Sequence, residues 1–307
     1  MKPHFRRIVG FFLLPLLMAF VLRAGPRDAE WKAVEEAVNK GLPKTAIEKL
    51  QPIIQAAIAD KAYGEAVKAI ARRIVLDGVI QGNKPEEKIT RLEQQIAEAP
   101  AEIRPLLTAL QAHWYWHYFQ QNKWLFRQRT ATAEAPGKDF TTWDLPRLFA
   151  EIDKKFTEAL AADALLKKTP VSAFNDVLQK GNMPDSYRPT LYDFIAHEAL
   201  GFYTSGEQAA AKPQDAFEVS AQSPIFDDAA SFISWQIETP DSNSPVYKAL
   251  LLHQELMQFH RDDEDKSAFL DVNLTRLIYG KNIAHGEEKT ERFKEALERF
   301  ARENAGH

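Results

Sequence analysis

Apolar residues recur along most of this chain at the spacing of an α-helix, and this periodicity constrains the fold more than any other feature. One stripe follows the positions i, i+3, i+7 and i+11 in Ile47, Leu50, Ile54 and Ile58. Similar stripes follow in Tyr63, Val67, Ile70, Ile74, Ile89, Leu92 and Ile96. Such spacing puts apolar side chains on one helix face. Because no segment alternates apolar and polar residues convincingly, we predict an all-α fold without a substantial β-sheet.

Short polar turns separate these stripes and predict how the helices connect. Gly41 can end one helix and Pro43 suits the first turn of the next. Pro52 lies inside the following stripe, where we expect it to kink the helix. Short helices joined by brief turns favour antiparallel helical hairpins stacked as a tetratricopeptide-like or irregular α-solenoid. No clean repeat of about 34 residues is visible in the sequence.

An aromatic-rich segment, residues 102–129, predicts one helix that is apolar on most sides. Its large aromatic side chains are Trp114, Tyr115, Trp116, Tyr118, Phe119, Trp124 and Phe126. A helix of this kind is usually buried among others. We therefore expect Trp114 and Tyr118 to be largely buried against helices from both halves of the chain. The alternative is an exposed platform for stacking carbohydrates or bases.

Residues 130–142 have turn composition and mark the best internal boundary. We predict one helical array over residues 25–130 and a second over residues 143–307, packed on the first. In the second array Asp144 is predicted to cap a helix. Pro189 is predicted to set the start of another helix and to keep Arg188 in an extended conformation, from which its guanidinium can reach a carboxylate such as Asp144 or Asp185. Proline also predicts helix starts at residues 223–224 and 244–245.

The N-terminus predicts export. Lys2, Arg6 and Arg7 precede an apolar run over residues 8–22, which suits a signal peptide better than a membrane span. Ala24 is small enough for the last removed residue, but Leu22, two residues before it, is larger than the usual cleavage motif has. Residues 1–24 are therefore predicted to be a signal peptide or a membrane anchor, with the helical body in the periplasm or cell envelope.

Composition excludes several kinds of function. The 307 residues contain no cysteine, so disulfides, thiolate metal sites and a cysteine nucleophile are excluded. The formal net charge of -4 has both signs interspersed, so no basic patch predicts nucleic-acid binding. The chain must therefore be stabilised by packing alone.

Histidine motifs do not predict a metal site. His197 and Glu198 begin like a zinc-protease helix, but Gly201 occupies the position of the required second histidine. His113 and His117 have a spacing that puts both rings on one helix face, yet no acidic partner is evident near them in sequence.

Carboxylates give no firmer prediction of catalysis. The acidic run that begins at Asp262 has Ser267 where a calcium loop needs glycine and Asn273 where it needs glutamate, so a solvated turn is expected. Asp193 and Glu198 could form an acid and base pair for hydrolysis, although sequence does not give their separation.

Four segments, taken in order, resemble the helical N-terminal region of large bacterial alpha-2-macroglobulin-like envelope proteins. They are residues 41–46 (Gly-Leu-Pro-Lys-Thr-Ala), the Trp- and Tyr-rich helix that ends in residues 126–130 (Phe-Arg-Gln-Arg-Thr), residues 139–144 (Asp-Phe-Thr-Thr-Trp-Asp) and residues 188–194 (Arg-Pro-Thr-Leu-Tyr-Asp-Phe). The resemblance implies a helical, non-catalytic segment that precedes a series of β-sandwich domains. Those domains, a bait segment and a thioester cysteine do not fit into this chain, so protease trapping by it alone is not expected.

Three functions remain open at this point. The first is a non-enzymatic envelope module associated with macroglobulin-type protease inhibition, whose partners are downstream macroglobulin-like domains or another envelope protein. The second is a tetratricopeptide-like scaffold for envelope assembly, and the third is a carboxylate-based hydrolase. No catalytic, cofactor or metal residues are predicted. The structural or interface candidates are Trp114, Tyr118, Trp143, Asp144, Arg188, Pro189, Tyr192 and Asp193.

Overall fold

The computed structural model describes residues 27–82, 84–127, 137–179, 181–207 and 217–306. Within these ranges the chain is all-α, as predicted. The predicted export segment, residues 1–24, lies outside the described residues. Of the helices that are described, none is long and apolar enough to cross a membrane.

The first part of the chain is a row of helices in which each packs against the next. They are α1 (Asp28–Asn39), α2 (Pro43–Ala59), α3 (Tyr63–Ile80) and α4 (Pro85–Glu98). Their connections are only a few residues long, which makes consecutive helices antiparallel neighbours. Gly41 has a φ of 68°, a conformation that glycine adopts without steric cost, and Pro43 opens α2 as predicted. Pro52 lies within α2, which continues past it.

The aromatic segment forms two helices instead of the one predicted, α5 (Arg104–Gln121) and α6 (Lys123–Arg127). Asn122 separates them: its φ of −120° and ψ of 25° leave the helical range, and its side-chain amide donates to the carbonyl of Tyr118 at 2.9 Å. The face of α5 also differs from the prediction. Tyr115 and Phe119 are buried, whereas Trp114 and Tyr118 are only partly buried. A helix that is apolar on most sides carries no sequence signal for which face points inward.

The second part of the chain mixes long helices with irregular segments. Its helices are α7 (Leu145–Leu160), α8 (Asp163–Leu166), α9 (Leu191–Tyr203), α10 (Ala229–Ser234), α11 (Pro245–His260), α12 (Ser267–Ile283) and α13 (Lys289–Glu303). Turns of 3₁₀ helix lie at Phe140–Thr142, Val171–Phe174, Asp185–Tyr187 and Pro224–Phe226. Two short strands, β1 (Val219–Ser220) and β2 (Ala284–His285), pair in parallel. Proline-marked starts at Pro224 and Pro245 are confirmed.

The two parts of the chain share one hydrophobic core. Helix α5 packs against both α7 and α9. The contact with α7 includes Phe119 and Phe149, whose ring centroids lie 4.8 Å apart, edge to face. On the side of α9, Trp116 and Phe202 are similarly arranged at 5.2 Å. These aromatic pairs add geometric specificity to the buried area.

Candidate functional site

The start of α9 contains the sequence motif that includes Arg188, Pro189, Tyr192 and Asp193. Thr190 caps the helix: its hydroxyl accepts from the backbone N–H of Asp193, and the Asp193 carboxylate accepts from the backbone N–H of Thr190 at 2.9 Å. This reciprocal pair satisfies two N–H groups that a helix start leaves free. Arg188 is outside the helix, with φ −145° and ψ 70°, as Pro189 predicted.

Asp193 also holds a buried histidine from α11. The His260 ring donates through Nε2 to Asp193 Oδ1 at 2.6 Å and through Nδ1 to Asp263 Oδ2 at 2.7 Å. Both Asp193 and His260 are only 1 % exposed. Burial alone would lower the pKa of His260, but the hydrogen bonds and charges of Asp193 and Asp263 outweigh it and raise that pKa. The acidic turn after α11 was expected to be only solvated. One of its residues, Asp263, instead accepts a hydrogen bond from this ring.

One turn further along α9, His197 faces Asp271 of α12. Their Nε2 and Oδ2 atoms are 4.0 Å apart, both buried, and neither has a hydrogen-bond partner within the described residues. Burial, reinforced by the charge of Arg188, lowers the pKa of His197 to about 3. Burial raises the pKa of Asp271, against the opposing effect of Arg188. His197 is therefore an uncharged imidazole at neutral pH.

Arg188 does not pair with Asp144 or Asp185, the partners considered from sequence. It forms no ion pair in the described part of the chain, and its buried Nε has no hydrogen-bond partner there. The groups whose pKa it affects are His197 and Asp271. Sequence could not identify His197 and Asp271 as neighbours of Arg188, because these two residues lie on different helices, α9 and α12.

The remaining candidates have structural contacts. Asp144 caps α7 by accepting from the backbone N–H of Arg147 at 2.9 Å, as predicted. Trp143, just before it, is buried and donates Nε1–H to the carbonyl of Gly137. Tyr192 is buried on α9 and donates its hydroxyl to Glu255 at 2.9 Å. The motif at residues 143–144 and the motif at residues 188–193 thus lie at the starts of two different helices, α7 and α9.

The paired histidines of α5 have an acidic partner that sequence did not reveal. His113 and His117 stack with ring centroids 6.3 Å apart, and His113 Nδ1 lies 3.0 Å from Glu198 Oε2 on α9. Glu198 is therefore engaged in a contact between helices. In the described residues no three histidine, aspartate or glutamate side chains are grouped so as to hold a metal ion.

Two buried groups were missed altogether. Arg276 on α12 donates to the carbonyls of Ile225 at 2.8 Å and Asp227 at 2.7 Å, and it is 1 % exposed. His253 on α11 donates Nδ1–H to the carbonyl of Ala249 and stacks on Tyr279. The only sequence signal is their position, since each lies among the apolar residues of its helix, beside other polar side chains that are also buried.

No protein-family model, curated protein or solved structure matches this chain.

Proposed function

We propose that this chain is a non-catalytic helical interaction module of the cell envelope, associated with macroglobulin-type protease inhibition. The observation that supports this most directly is that the buried carboxylate and imidazole at the start of α9 bind each other. Asp193 and His260 bind each other at 2.6 Å and are each 1 % exposed, so they offer no surface to a substrate. Glu198, the other carboxylate considered for hydrolysis, binds His113. These groups join helices to each other.

The proposed contact surface is the corner that precedes α9. Residues 181–185 are all exposed, and they include the apolar side chain of Met183, which is 39 % exposed. The corner continues directly into residues 188–194, one of the segments that resemble macroglobulin-type proteins. The proposed partner is a β-sandwich macroglobulin-like domain.

Calorimetric titration of the chain with purified macroglobulin-like β-sandwich domains from the same organism tests this proposal. We expect Met183→Asp to weaken binding by about tenfold, the equivalent of about 1.4 kcal/mol, without changing the melting temperature. Leu42→Asp, which alters an exposed apolar residue on the α1–α2 turn, is the matched control and should bind like the parent chain. Absence of binding by the parent chain would contradict the proposal.

A tetratricopeptide-like scaffold is the second candidate, and the row α1–α4 favours it. Exposed apolar side chains lie on the α1–α2 turn (Leu42) and at the end of α3 (Val79 and Ile80). Weakened binding in Leu42→Asp, with Met183→Asp unaffected, would support this candidate over the first.

Export is a further part of the proposal, supported by the basic and apolar pattern of residues 1–24. A reporter enzyme that is active only outside the cytoplasm, fused after residue 60, should be active. Activity confined to a cytoplasmic reporter at the same position would contradict export.

A further inference from the structure

Three of the large apolar side chains that are exposed in the described residues lie at one end of the row α1–α4. Leu42, in the α1–α2 turn, is 48 % exposed, and Val79 and Ile80, at the end of α3, are 53 % and 38 % exposed. We call these three residues the apolar tip. Single exposed apolar side chains are ordinary, whereas a group of them in one place indicates a contact surface.

The antiparallel packing of α2 and α3 brings the tip residues together. Gln51 of α2 accepts a hydrogen bond from Arg73 of α3 at 2.6 Å, which gives the register of the two helices. From this pair α2 runs back nine residues to Leu42, and α3 runs forward seven residues to Ile80. Since both helices rise about 1.5 Å per residue, the start of α2 and the end of α3 reach the same level to within about 3 Å.

Lysines flank the apolar tip. The connections at this end of the row, residues 39–44 and 79–85, contain Lys40, Lys44 and Lys84 and no acidic residue. Lys40 and Lys44 are exposed and form no ion pair within the described residues. Their charge is therefore available to a partner outside the chain.

Acidic residues in the first turn of α4 reduce this positive charge only in part. They are Glu86 and Glu87. Glu87 lies 3.6 Å from Lys84 and 4.0 Å from Arg91, so it is shared between two bases. Lys40 and Lys44 belong to the other connection and keep their charge.

The opposite end of the row has the opposite charge. Its connections, residues 60–62 and 98–103, contain one base, Lys61, and three acids, namely Asp60, Glu98 and Glu102. A negatively charged surface therefore attracts the apolar tip and repels the other end of the row.

The size and charge of the tip decide which partner it fits. Each partner in a specific protein complex buries about 800 Å², more than three half-exposed side chains offer. A second copy of the chain would bring lysines against lysines. A bilayer surface needs no matching shape, because apolar side chains enter between the lipid headgroups while lysine stems extend along them to the phosphates.

We propose that the apolar tip binds the surface of an anionic phospholipid bilayer. The tip residues lie at the boundary between headgroups and acyl chains, and the three lysines contact lipid phosphates. The contact is reversible, since it uses a few side chains and no covalent lipid. It goes beyond the proposed protein contact, whose surface is the corner that precedes α9.

Site-specific labels test this contact cleanly, because the chain contains no cysteine. Val79→Cys carries a polarity-sensitive fluorophore at the tip, and Ala97→Cys carries it on an exposed residue in the last turn of α4, towards the opposite end. The probes are vesicles of equal parts phosphatidylglycerol and phosphatidylcholine, with pure phosphatidylcholine as the control. We expect a blue shift at residue 79 with anionic vesicles, about a hundredfold weaker binding to neutral ones, and no shift at residue 97. No shift at residue 79, or equal shifts at both residues, would overturn the proposal.

The position of the label matters because residues 8–22 are apolar and would themselves partition into vesicles in the full chain. Helix α1 begins at the end of the row opposite the tip, where Arg27 pairs with Asp60. Insertion through the N-terminus alone would therefore bring residue 97 towards the bilayer. A blue shift at residue 97 without one at residue 79 counts against the tip.

Variants at the tip separate lipid binding from loss of the fold. Leu42 is the N-cap of α2, a position that favours aspartate, so Leu42→Asp should not lower the melting temperature. It should weaken binding to anionic vesicles about tenfold. Lys44→Gln should weaken it about fivefold, whereas Lys32→Gln, which removes an exposed charge from the middle of α1, should bind like the parent chain. A Leu42→Asp chain that binds like the parent would overturn the assignment.

Met183→Asp distinguishes this inference from the proposed function, because it should leave vesicle binding unchanged. If vesicles shift the label at residue 79 while β-sandwich domains do not bind, the proposed partner is wrong and the tip assignment stands. If the domains bind and no vesicle shifts that label, the tip assignment is wrong. The exposed apolar end of the row then favours the protein contact of the scaffold candidate.

Discussion

The row α1–α4 and the group formed by α9, α11 and α12 differ in what they bury. In α1–α4 all the buried side chains are apolar, within the residues that the structure describes. Helices α9, α11 and α12 also bury polar and charged side chains, namely Asp193, His253, Gln254, His260, Ser267, Asn273 and Arg276. Side chains also form hydrogen bonds between helices in the first region, such as that from Trp31 to Glu65 at 2.7 Å, but those polar side chains are not fully buried. In the second region the hydrogen-bonding polar side chains are part of the core.

The difference follows from the connections between helices. Short turns in α1–α4 leave few backbone groups to satisfy, whereas the irregular segment before α11 brings its carbonyls into the core. Arg276 donates to two of these, in Ile225 and Asp227, and Gln254 donates to the carbonyls of Phe232 and Trp235. Since buried carbonyls need donors, an irregular connection requires buried polar side chains nearby.

The largest expected effect concerns α5, which follows directly on α4 and packs against α7 and against α9 of the second region. Phe119→Ala should lower the free energy of unfolding by about 3–5 kcal/mol because its ring is buried against Phe149. Trp114→Ala should cost less, about 1–2 kcal/mol, because that ring is only partly buried. Urea denaturation followed by circular dichroism measures both. A larger loss for Trp114→Ala would mean that the inward face of α5 is misassigned.

A second pair of variants compares arginines from the two regions. Arg276→Met leaves the carbonyls of Ile225 and Asp227 without their buried donor, and we expect a loss of about 3 kcal/mol in the free energy of unfolding. Arg72→Met in α3 removes a partly exposed ion pair with Glu35 at 3.2 Å and should cost less than about 1 kcal/mol. Equal losses in the same denaturation experiment would remove the distinction between the regions.

Acid should affect the second region first. The pKa values of His197 and His253 are about 3 and about 4 in the folded chain and about 6.5 in the unfolded chain. The unfolded chain therefore binds more protons below pH 6.5, and stability that is complete above pH 6.5 is lost as the pH falls towards 4. Each histidine contributes a slope of at most about 1.4 kcal/mol per pH unit.

Hydrogen exchange at pH 5 should show reduced protection in α9, α11 and α12, while α1–α4, which contain no histidine, keep theirs. His253→Gln should flatten the acid limb of the stability profile. His260 has the opposite effect on the pH dependence of stability. Its pKa is raised in the folded chain, so the stability that it contributes is complete below pH 6.5 and is lost as the pH rises through its folded-state pKa. Uniform loss of protection at pH 5 would count against this regional difference.

The smallest expected effect is that of Arg188→Ala. Arg188 forms no ion pair in the described part of the chain but acts at a distance on Asp271 and His197, so we expect a loss of about 1 kcal/mol or less. Arg261→Ala, in the exposed turn after α11, is the control and should change stability by less than about 0.5 kcal/mol. A loss of several kcal/mol would show that Arg188 docks the two parts of the chain directly. An unchanged melting temperature with weakened binding to β-sandwich domains would instead support an interface role.

Most features that depend on neighbouring residues in sequence were predicted correctly. The all-α fold, the cap at Asp144, the extended Arg188 before Pro189 and the helix starts at Pro43 and Pro245 all follow from local preferences of side chains and backbone. The break at Asn122 was missed because asparagine is acceptable both inside a helix and at a helix end, so the sequence does not show where α5 stops.

Contacts between distant residues could not be predicted in this way. Glu198 reaches His113, His260 reaches Asp193, and Arg276 reaches carbonyls about fifty residues away. Which face of α5 points inward depends on how it meets α4, α7 and α9. Whether His197, His253, Thr204 and Thr275 line one cleft depends on how α9, α11 and α12 pack. Helical periodicity reports that a side chain lies on a face, since it arises from the geometry of one helix. It carries no information on which other helix meets that face, because that choice depends on the fit of the whole core.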